Sequence, residues 1–227
     1  MERQVQLKGT SEADSNADAQ VELFDNGVSL GFVPVSGGVW EKNVSGLEEG
    51  AHSFIAKTAD GTTVSDPWAL QVERALVGVE NFDSLPDTMI SVGQSIVTPM
   101  MVITFLEGEG NVAVKPVGEL PLPGKIARQV LHLHIGYYGW EPKPPGQTIS
   151  MKLGGSCSKV SFWYRGTNEG DHQISFYNVA GLLLGTIGLL SSTGTGAEST
   201  FSAVGIREIV FKTARADWFL VDTFTFE

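Results

Sequence analysis

Apolar and polar residues alternate along most of this chain in runs of about six residues, which is the spacing of half-buried β-strands. The clearest runs lie near the C-terminus, at residues 159–165, 173–178, 206–212 and 218–226. No window shows the three-to-four-residue period of an amphipathic helix. The pattern therefore predicts an all-β chain.

Residues 1–75 contain short alternating runs separated by turn signals. The strongest signal is Asn26-Gly27 between the runs 21–25 and 28–33, because both positions of a two-residue hairpin turn need a positive φ and these residues tolerate it. Strands of about six residues with turns every 8–12 residues are typical of an immunoglobulin-like sandwich. We expect such a domain here.

Residues 76–227 form the second predicted domain, a jelly-roll β-sandwich of about eight to ten strands. A Gly- and Pro-rich stretch at 107–125 is predicted to be a long loop. The alternation places seven residues of the C-terminal strands in the core: Phe162, Tyr164, Phe176, Ile209, Phe211, Phe224 and Phe226.

The net charge is −11. A surface this acidic repels nucleic acid and anionic membranes, so we expect neither as a partner. It is compatible with cation binding, although solubility alone explains it. The longest apolar run, 179–190, is broken by glycines and is too short to span a bilayer, so no membrane insertion is expected.

The first domain resembles the bacterial Ig-like repeats of large surface adhesins. The resemblance covers residues 4–73 and rests on a hairpin at 21–31, a Gly-x-Trp strand start at 38–40 and a Gly-x-His-x-Phe segment at 50–54. It implies a spacer without an active site. Because such repeats begin with a further strand, we expect Met1 to be a start within a longer exported protein, located outside the cell or on its surface.

The second domain resembles galactose-binding-like β-sandwiches, which include many carbohydrate-binding modules. The residues that carry this are 80–83, 160–164, 174–177, 206–211 and the closing strand 221–226. The family normally has Asp-Asn in that last strand, where this chain has Asp222-Thr223. The resemblance implies the fold and leaves the ligand open, because the fold hosts many functions.

Tyr137, Tyr138 and Trp140 lie close together in a Gly- and Pro-rich segment and are the candidate ligand-binding residues, with Glu141 as a hydrogen-bonding partner. A rigid aromatic ring can stack on the apolar face of a sugar, and loops carry binding residues on sandwich scaffolds. The alternative is that these aromatic side chains cap the core.

Glu80, Asp83 and Asp222 lie near the two ends of the second domain in sequence. In the resembling family the first and last strands often meet around a calcium ion, so these three are the candidate ligands of a structural Ca²⁺, which requires about six to eight oxygen ligands. The alternative is that the carboxylates accept hydrogen bonds at strand ends.

Two other features of the sequence are weaker candidates for a functional site. His132 and His134, at i and i+2 on a predicted strand, would share a face and could bind Zn²⁺, but no third ligand is evident, and solvated or groove-lining histidines are the favoured interpretation. The single cysteine, Cys157, has no neighbouring histidine and is expected to be a buried or edge thiol. None of the common catalytic motifs occurs.

The sequence therefore predicts a non-catalytic fragment of a bacterial adhesin, in which an Ig-like spacer presents a jelly-roll module that binds a carbohydrate or another surface ligand. The alternative from a different class is a purely structural tip or assembly domain whose sandwich edges contact other chains. A glycan-active enzyme or a toxin component is the least favoured reading.

Overall fold

The structure is a computed structural model that describes residues 4–11, 19–118, 121–135, 145–168, 172–213 and 217–227. The chain divides into two compact units, Met1–Glu73 (unit 1) and Arg74–Glu227 (unit 2). The described residues contain β-strands and no helix, which confirms the all-β prediction, and they include no helical segment long and apolar enough to cross a membrane.

The strands of unit 1 are β1 (Gln4–Thr10), β2 (Gln20–Asp25), β3 (Val28–Pro34), β4 (Val39–Ser45), β5 (Gly50–Thr58) and β6 (Trp68–Val72). Those of unit 2 are β7 (Gly78–Glu80), β8 (Thr88–Ile90), β9 (Ser95–Val97), β10 (Met101–Glu107), β11 (Asn111–Pro116), β12 (Gln129–Ile135), β13 (Thr148–Arg165), β14 (Gln173–Tyr177), β15 (Leu183–Gly188), β16 (Ala197–Lys212) and β17 (Phe219–Phe226).

Unit 1 is a small sandwich of two antiparallel sheets. One sheet has the order β3-β2-β5-β6 and the other pairs β1 with β4. The predicted hairpin is present between β2 and β3, where Asn26 has φ 48° and Gly27 has φ 83°. Leu7 and Val44 of the smaller sheet pack with Leu23 and Phe54 of the larger one, so alternate residues of both sheets form the core.

One polar side chain ties a loop of unit 1 to its hairpin. His52 Nδ1 lies 2.6 Å from Asp25 Oδ2, and its Nε2 lies 2.9 Å from the Glu48 carbonyl oxygen. The hydrogen bond to Glu48 and then that to Asp25 raise the pKa of His52. Both partners are acceptors, so the protonated imidazolium satisfies this geometry best.

Unit 2 is a larger antiparallel sandwich in which two long strands belong to both sheets. The first half of β13 (148–153) pairs with β10 and with residues 208–212 of β16. Its second half (159–165) pairs with residues 197–202 of β16 and with β17. We call the first layer, β9-β10-β13-β16-β14-β15, sheet A and the second, β16-β13-β17-β12-β11-β8 with β7 beside β17, sheet B.

The strands change sheets at glycines. The pairing register of β13 shifts between Lys152 and Cys157, a stretch that contains Gly154 and Gly155. A Cβ atom at Gly155 would lie 2.6 Å from the Arg74 carbonyl oxygen, so only glycine allows the backbone to pass there. Such a bulge bends a strand enough to continue in the facing sheet.

The core of unit 2 lies between sheets A and B. Phe162 and Phe224 of sheet B pack against Phe211 of sheet A, at ring-centroid distances of 5.3 and 6.4 Å respectively. Phe176 of sheet A stacks on Phe201 of sheet B at 4.1 Å. All seven residues predicted for the core are buried. The facing layers confirm a β-sandwich.

The structure corrects the predicted loop at 107–125. Asn111–Pro116 forms strand β11, which pairs with β8 and β12 and has three consecutive buried residues, Val112, Ala113 and Val114. The Gly and Pro residues that suggested a loop lie on both sides of this short strand. The sequence prediction was wrong here because the turn signals are strong and the apolar run is only six residues long. The burial of this run depends on partner strands that are distant in sequence.

Candidate functional site

The predicted ligand-binding residues Tyr137, Tyr138, Trp140 and Glu141 lie outside the described residues. The described residues on either side of them are joined: the backbone N–H of His134 donates to Gln147 Oε1 at 3.0 Å. Gln147 Nε2 in turn donates to the carbonyl oxygens of Glu109 and Asn111. The two ends of the predicted binding segment are therefore held together.

A buried polar cluster lies around His134 and Gln147. His134 Nε2 lies 2.5 Å from Thr213 Oγ1, which also accepts the Gln147 N–H at 2.7 Å. Burial lowers the pKa of His134 to about 4; the charge of His172 lowers it further and that of Asp217 opposes this. His134 is therefore a neutral imidazole at physiological pH, and its buried Nδ1 has no hydrogen-bond partner among the described residues.

His172 and Asp217 form a buried hydrogen-bonded pair in the same region. His172 Nε2 lies 2.8 Å from Asp217 Oδ2, and the backbone N–H of Asn168 donates to the same oxygen at 2.8 Å. Both side chains are buried. They are far apart in sequence, so no local motif could have revealed this pair.

The three predicted calcium ligands accept hydrogen bonds from protein N–H groups. Glu80 accepts from Phe82 at 3.0 Å. Asp83 accepts from Gln129 at 3.2 Å. Asp222 Oδ2 accepts from Ala127 at 3.1 Å and its Oδ1 from Thr223 at 2.6 Å.

The same three carboxylates are within electrostatic reach of one another. Burial is the main cause that raises the pKa of Asp222 to about 7, and the charges of Asp83 and Glu80 raise it further. Among the described residues, no group of three or more His, Cys, Asp or Glu side chains is arranged to hold a metal ion. As described, these carboxylates hold neighbouring backbone segments through hydrogen bonds.

The expectation that His132 and His134 are solvated or line a groove is wrong, and the part of the chain that the structure describes supplies no third ligand that would make them a zinc site. Both histidines are buried. The φ of His134 is +56°, which ends the regular alternation of the strand. His132 Nε2 lies 3.2 Å from the Pro116 carbonyl oxygen, while His134 contacts Thr213.

Cys157 has the environment of an inert thiol. It is buried, as expected, and burial raises its pKa to about 11. A thiol with this pKa stays protonated at neutral pH, so it is a poor nucleophile.

Part of the outward surface of sheet B, around Val130 and Leu220, is covered by the chain itself. Ile126 packs on Val130 and Leu220 in a small apolar cluster, with Leu122 and Trp163 at its border. We call residues 121–128 the covering segment and the surface beneath them the covered face. The hydrogen bonds of Asp222 to Ala127 and of Thr223 Oγ1 to the Lys125 carbonyl, at 2.5 Å, fasten this segment.

The outward-facing side chains of sheet A form an open, mostly polar surface, the open face. The pairing register aligns them in rows across the strands. One row is Leu183, Tyr177, Glu208, Lys152, Val102 and Val97. The next is Thr186, Ser175, Val210, Ser150, Thr104 and Ser95. A third includes Gln173, Lys212 and Thr148.

Cross-strand hydrogen bonds order the open face. Ser175 Oγ and Thr186 Oγ1 are 2.9 Å apart. Ser150 Oγ donates to Glu208 Oε1. The half-buried Tyr177 lies beside Glu208 in the register and brings an aromatic ring to the face, while Lys152 and Lys212 are exposed. Six strands at about 4.8 Å spacing make this surface about 24 Å wide.

Unit 1 has a groove of about 1490 Å³ between its two sheets. Trp40 and Trp68 contribute to its lining, together with Lys8 and Lys57. None of the residues predicted from sequence to bind a ligand or a metal lies in it.

Comparison with known proteins yields little. No family model matches the chain, and no curated protein matches it. Three solved structures of Bacteroides uniformis beta-glucuronidase align with it at 9–11% sequence identity and TM-scores of 0.28–0.30; one is a calcium-binding mutant of beta-glucuronidase 2. These alignments cover all of this chain but only 27–28% of those chains. At these TM-scores the likeness does not support a functional assignment.

Proposed function

We propose that unit 2 is a non-catalytic carbohydrate-binding module and that the open face of sheet A binds the sugar. The observation that carries the proposal is the combination of the half-buried aromatic ring of Tyr177 with a field of hydrogen-bonding groups, several of them exposed, on the outward side of sheet A. Sugars present both apolar ring faces and hydroxyl groups, so a surface that binds them needs both kinds of partner.

The chemistry of the neighbouring side chains supports this role. Glu208 accepts hydrogen bonds, Lys152 and Lys212 donate them, and Gln173 does both. Together they can pair with sugar hydroxyl groups that donate a hydrogen bond and with those that accept one. Glu208 is held by Ser150, which reduces the side-chain entropy that ligand binding would otherwise cost. The face is therefore partly preorganised.

The proposal involves no chemical reaction. Cys157 is protonated and buried, and the His172–Asp217 pair is fully enclosed. Neither group lies on the open face, so the proposed site contains no activated nucleophile.

We further propose an extracellular or surface location, in which unit 1 acts as a spacer. The resemblance of residues 4–73 to adhesin repeats supports this. The aromatic residues Tyr137, Tyr138 and Trp140 are the second proposed position for the sugar, supported by sequence alone.

The test is binding of the full chain to a glycan array, with the thermal midpoint measured for each variant. We expect Tyr177→Ala to abolish binding without changing the midpoint, and the matched control Tyr177→Phe, which keeps the ring, to retain it. Binding that survives Tyr177→Ala but is lost in Trp140→Ala would move the site to residues 137–141. If the wild-type chain binds no glycan, the proposed function is wrong.

A further inference from the structure

Strand β15 is an edge strand without the usual protection. Among the described strands it pairs only with β14. Natural proteins protect such edges by keeping them short or by placing charges on them, because unpaired backbone groups invite another strand. The opposite edge of sheet A, β9, has three residues, whereas β15 has six.

The segment that contains β15 carries no charged side chain and has several exposed apolar ones. The sequence contains no Asp, Glu, Lys or Arg from Gln173 to Ala197. Four large apolar side chains on this stretch are exposed, namely Val179 (60%), Leu182 (64%), Leu183 (51%) and Leu190 (77%). Exposed apolar side chains clustered at one edge mark an interaction surface more often than scattered ones do.

The net charge of the chain indicates that the partner at β15 is a second copy of the same chain. Each copy carries −11, so two copies repel one another over most of their surfaces. The uncharged edge at β15 is a place where two copies can approach without bringing like charges together. An edge strand paired antiparallel with its own copy about a two-fold axis uses the same patch on both subunits, so no second binding surface is required.

We infer that β15 is a self-association edge, through which two copies of this chain pair β15 with β15 and extend sheet A across the dimer. Leu182 and Leu183 of each copy then pack against the partner strand and lose their exposure to water. This interaction does not depend on the proposed sugar binding.

The experiment measures the mass of the full chain by sedimentation over a wide range of concentrations at physiological salt. Wild type is expected to form dimers as the concentration rises. The double variant Leu183→Lys/Thr186→Lys places like charges across the pairing and is expected to weaken association at least tenfold. The control is Val97→Lys on the opposite edge strand of the same sheet, where a valine that is 71% exposed, against 51% for Leu183, is replaced and association should not change.

A second measurement keeps the test valid if the double variant loses stability. Hydrogen exchange of the wild-type amides in residues 183–188 is expected to slow as the concentration rises, while exchange in β9 stays constant. A chain that remains a single copy at all concentrations would overturn the inference, as would a dimer that both lysine substitutions leave intact. Glycan binding is scored separately, so failure of either proposal is recognisable by itself.

Discussion

The two outer faces of the unit 2 sandwich differ in what lies on them. On sheet B the outward side chains Val130 and Leu220 are fully buried, because the covering segment packs Ile126 against them. On sheet A the outward side chains are mostly polar, and Lys152 and Lys212 are exposed. Both faces are built from halves of the same two strands, β13 and β16.

This difference shows that alternation alone does not decide which side of a strand meets water. In β17 the side chains on both faces are buried or half-buried, whereas in β10 the outward residues Val102 and Leu106 are exposed. A near-continuous apolar run thus marks a strand that is covered on both faces. An alternating run marks a strand with one free face that remains available for a ligand.

The strongest way to test the comparison is a pair of truncations, one on each face. Leu220→Ala on the covered face removes a fully buried side chain and is expected to lower the free energy of unfolding by about 2–5 kcal/mol. Val102→Ala on the open face, where the side chain is 38% exposed, is expected to cost less than about 1 kcal/mol. Urea unfolding of both variants measures this. Equal losses in the free energy of unfolding for the two variants would mean that the two faces do not differ in how their side chains are buried.

Asp222 makes the covered face sensitive to pH. Its folded-state pKa of about 7 lies above the ordinary value of 3.8, so the folded state binds the proton more tightly. This contribution is present at low pH and is lost as pH rises from about 4 to about 7, with a total on the order of 4 kcal/mol.

Asp222→Asn removes this titration. In the presence of a chelator, we expect the variant to gain stability relative to wild type between pH 5 and pH 8, as followed by denaturant unfolding at both values. A stability difference that is independent of pH would show that Asp222 does not titrate in this range.

Calcium gives a third test of the same face. If Ca²⁺ binds Glu80, Asp83 and Asp222, it neutralises three mutually repelling carboxylates, and at one hundred times its Kd it adds about 2.7 kcal/mol to the free energy of unfolding. The expected result is a higher thermal midpoint in calcium than in chelator, absent in Asp222→Asn. A wild-type thermal midpoint that is the same in calcium and in chelator would show that calcium does not bind these carboxylates.

The smallest expected change in stability concerns a surface contact between the covering segment and sheet B. Lys125 Nζ lies 3.6 Å from the ring centroid of Trp163, a cation–π contact worth about 0.5–1 kcal/mol at an exposed site. Lys125→Gln is expected to lose about that much stability, and Lys125→Arg to retain it. A loss as large as that of Leu220→Ala would show that this lysine is needed to keep the cover in place.

Local patterns predicted much of the fold. The Asn26-Gly27 turn, the C-terminal strands and the seven core residues follow from turn chemistry and alternation, and they are confirmed. The predicted runs 159–165 and 206–212 are each only one half of a longer strand, β13 or β16. Each run begins after a glycine-containing break, Gly154-Gly155 or Val204-Gly205, at which the strand changes from one sheet to the other, and that change depends on the partner strands.

The candidate sites were harder to predict because their partners are distant in sequence. Asp222 was identified as important, yet its contact with Ala127 joins residues from opposite parts of unit 2. The open face depends on the register of six strands, which no single segment specifies. The buried pair His172 and Asp217 has no sequence signature at all.

The pairing of β7 with β17 has a mechanical consequence. Gly78, the first residue of β7, lies opposite Phe226, the last residue of β17, so the chain enters and leaves this domain at the same corner. A force that pulls the two ends apart would load these hydrogen bonds one after another rather than all together. The short strand β7 would therefore peel away at low force, while β13 and β16, each anchored in both layers, would keep the rest of the sandwich intact under tension.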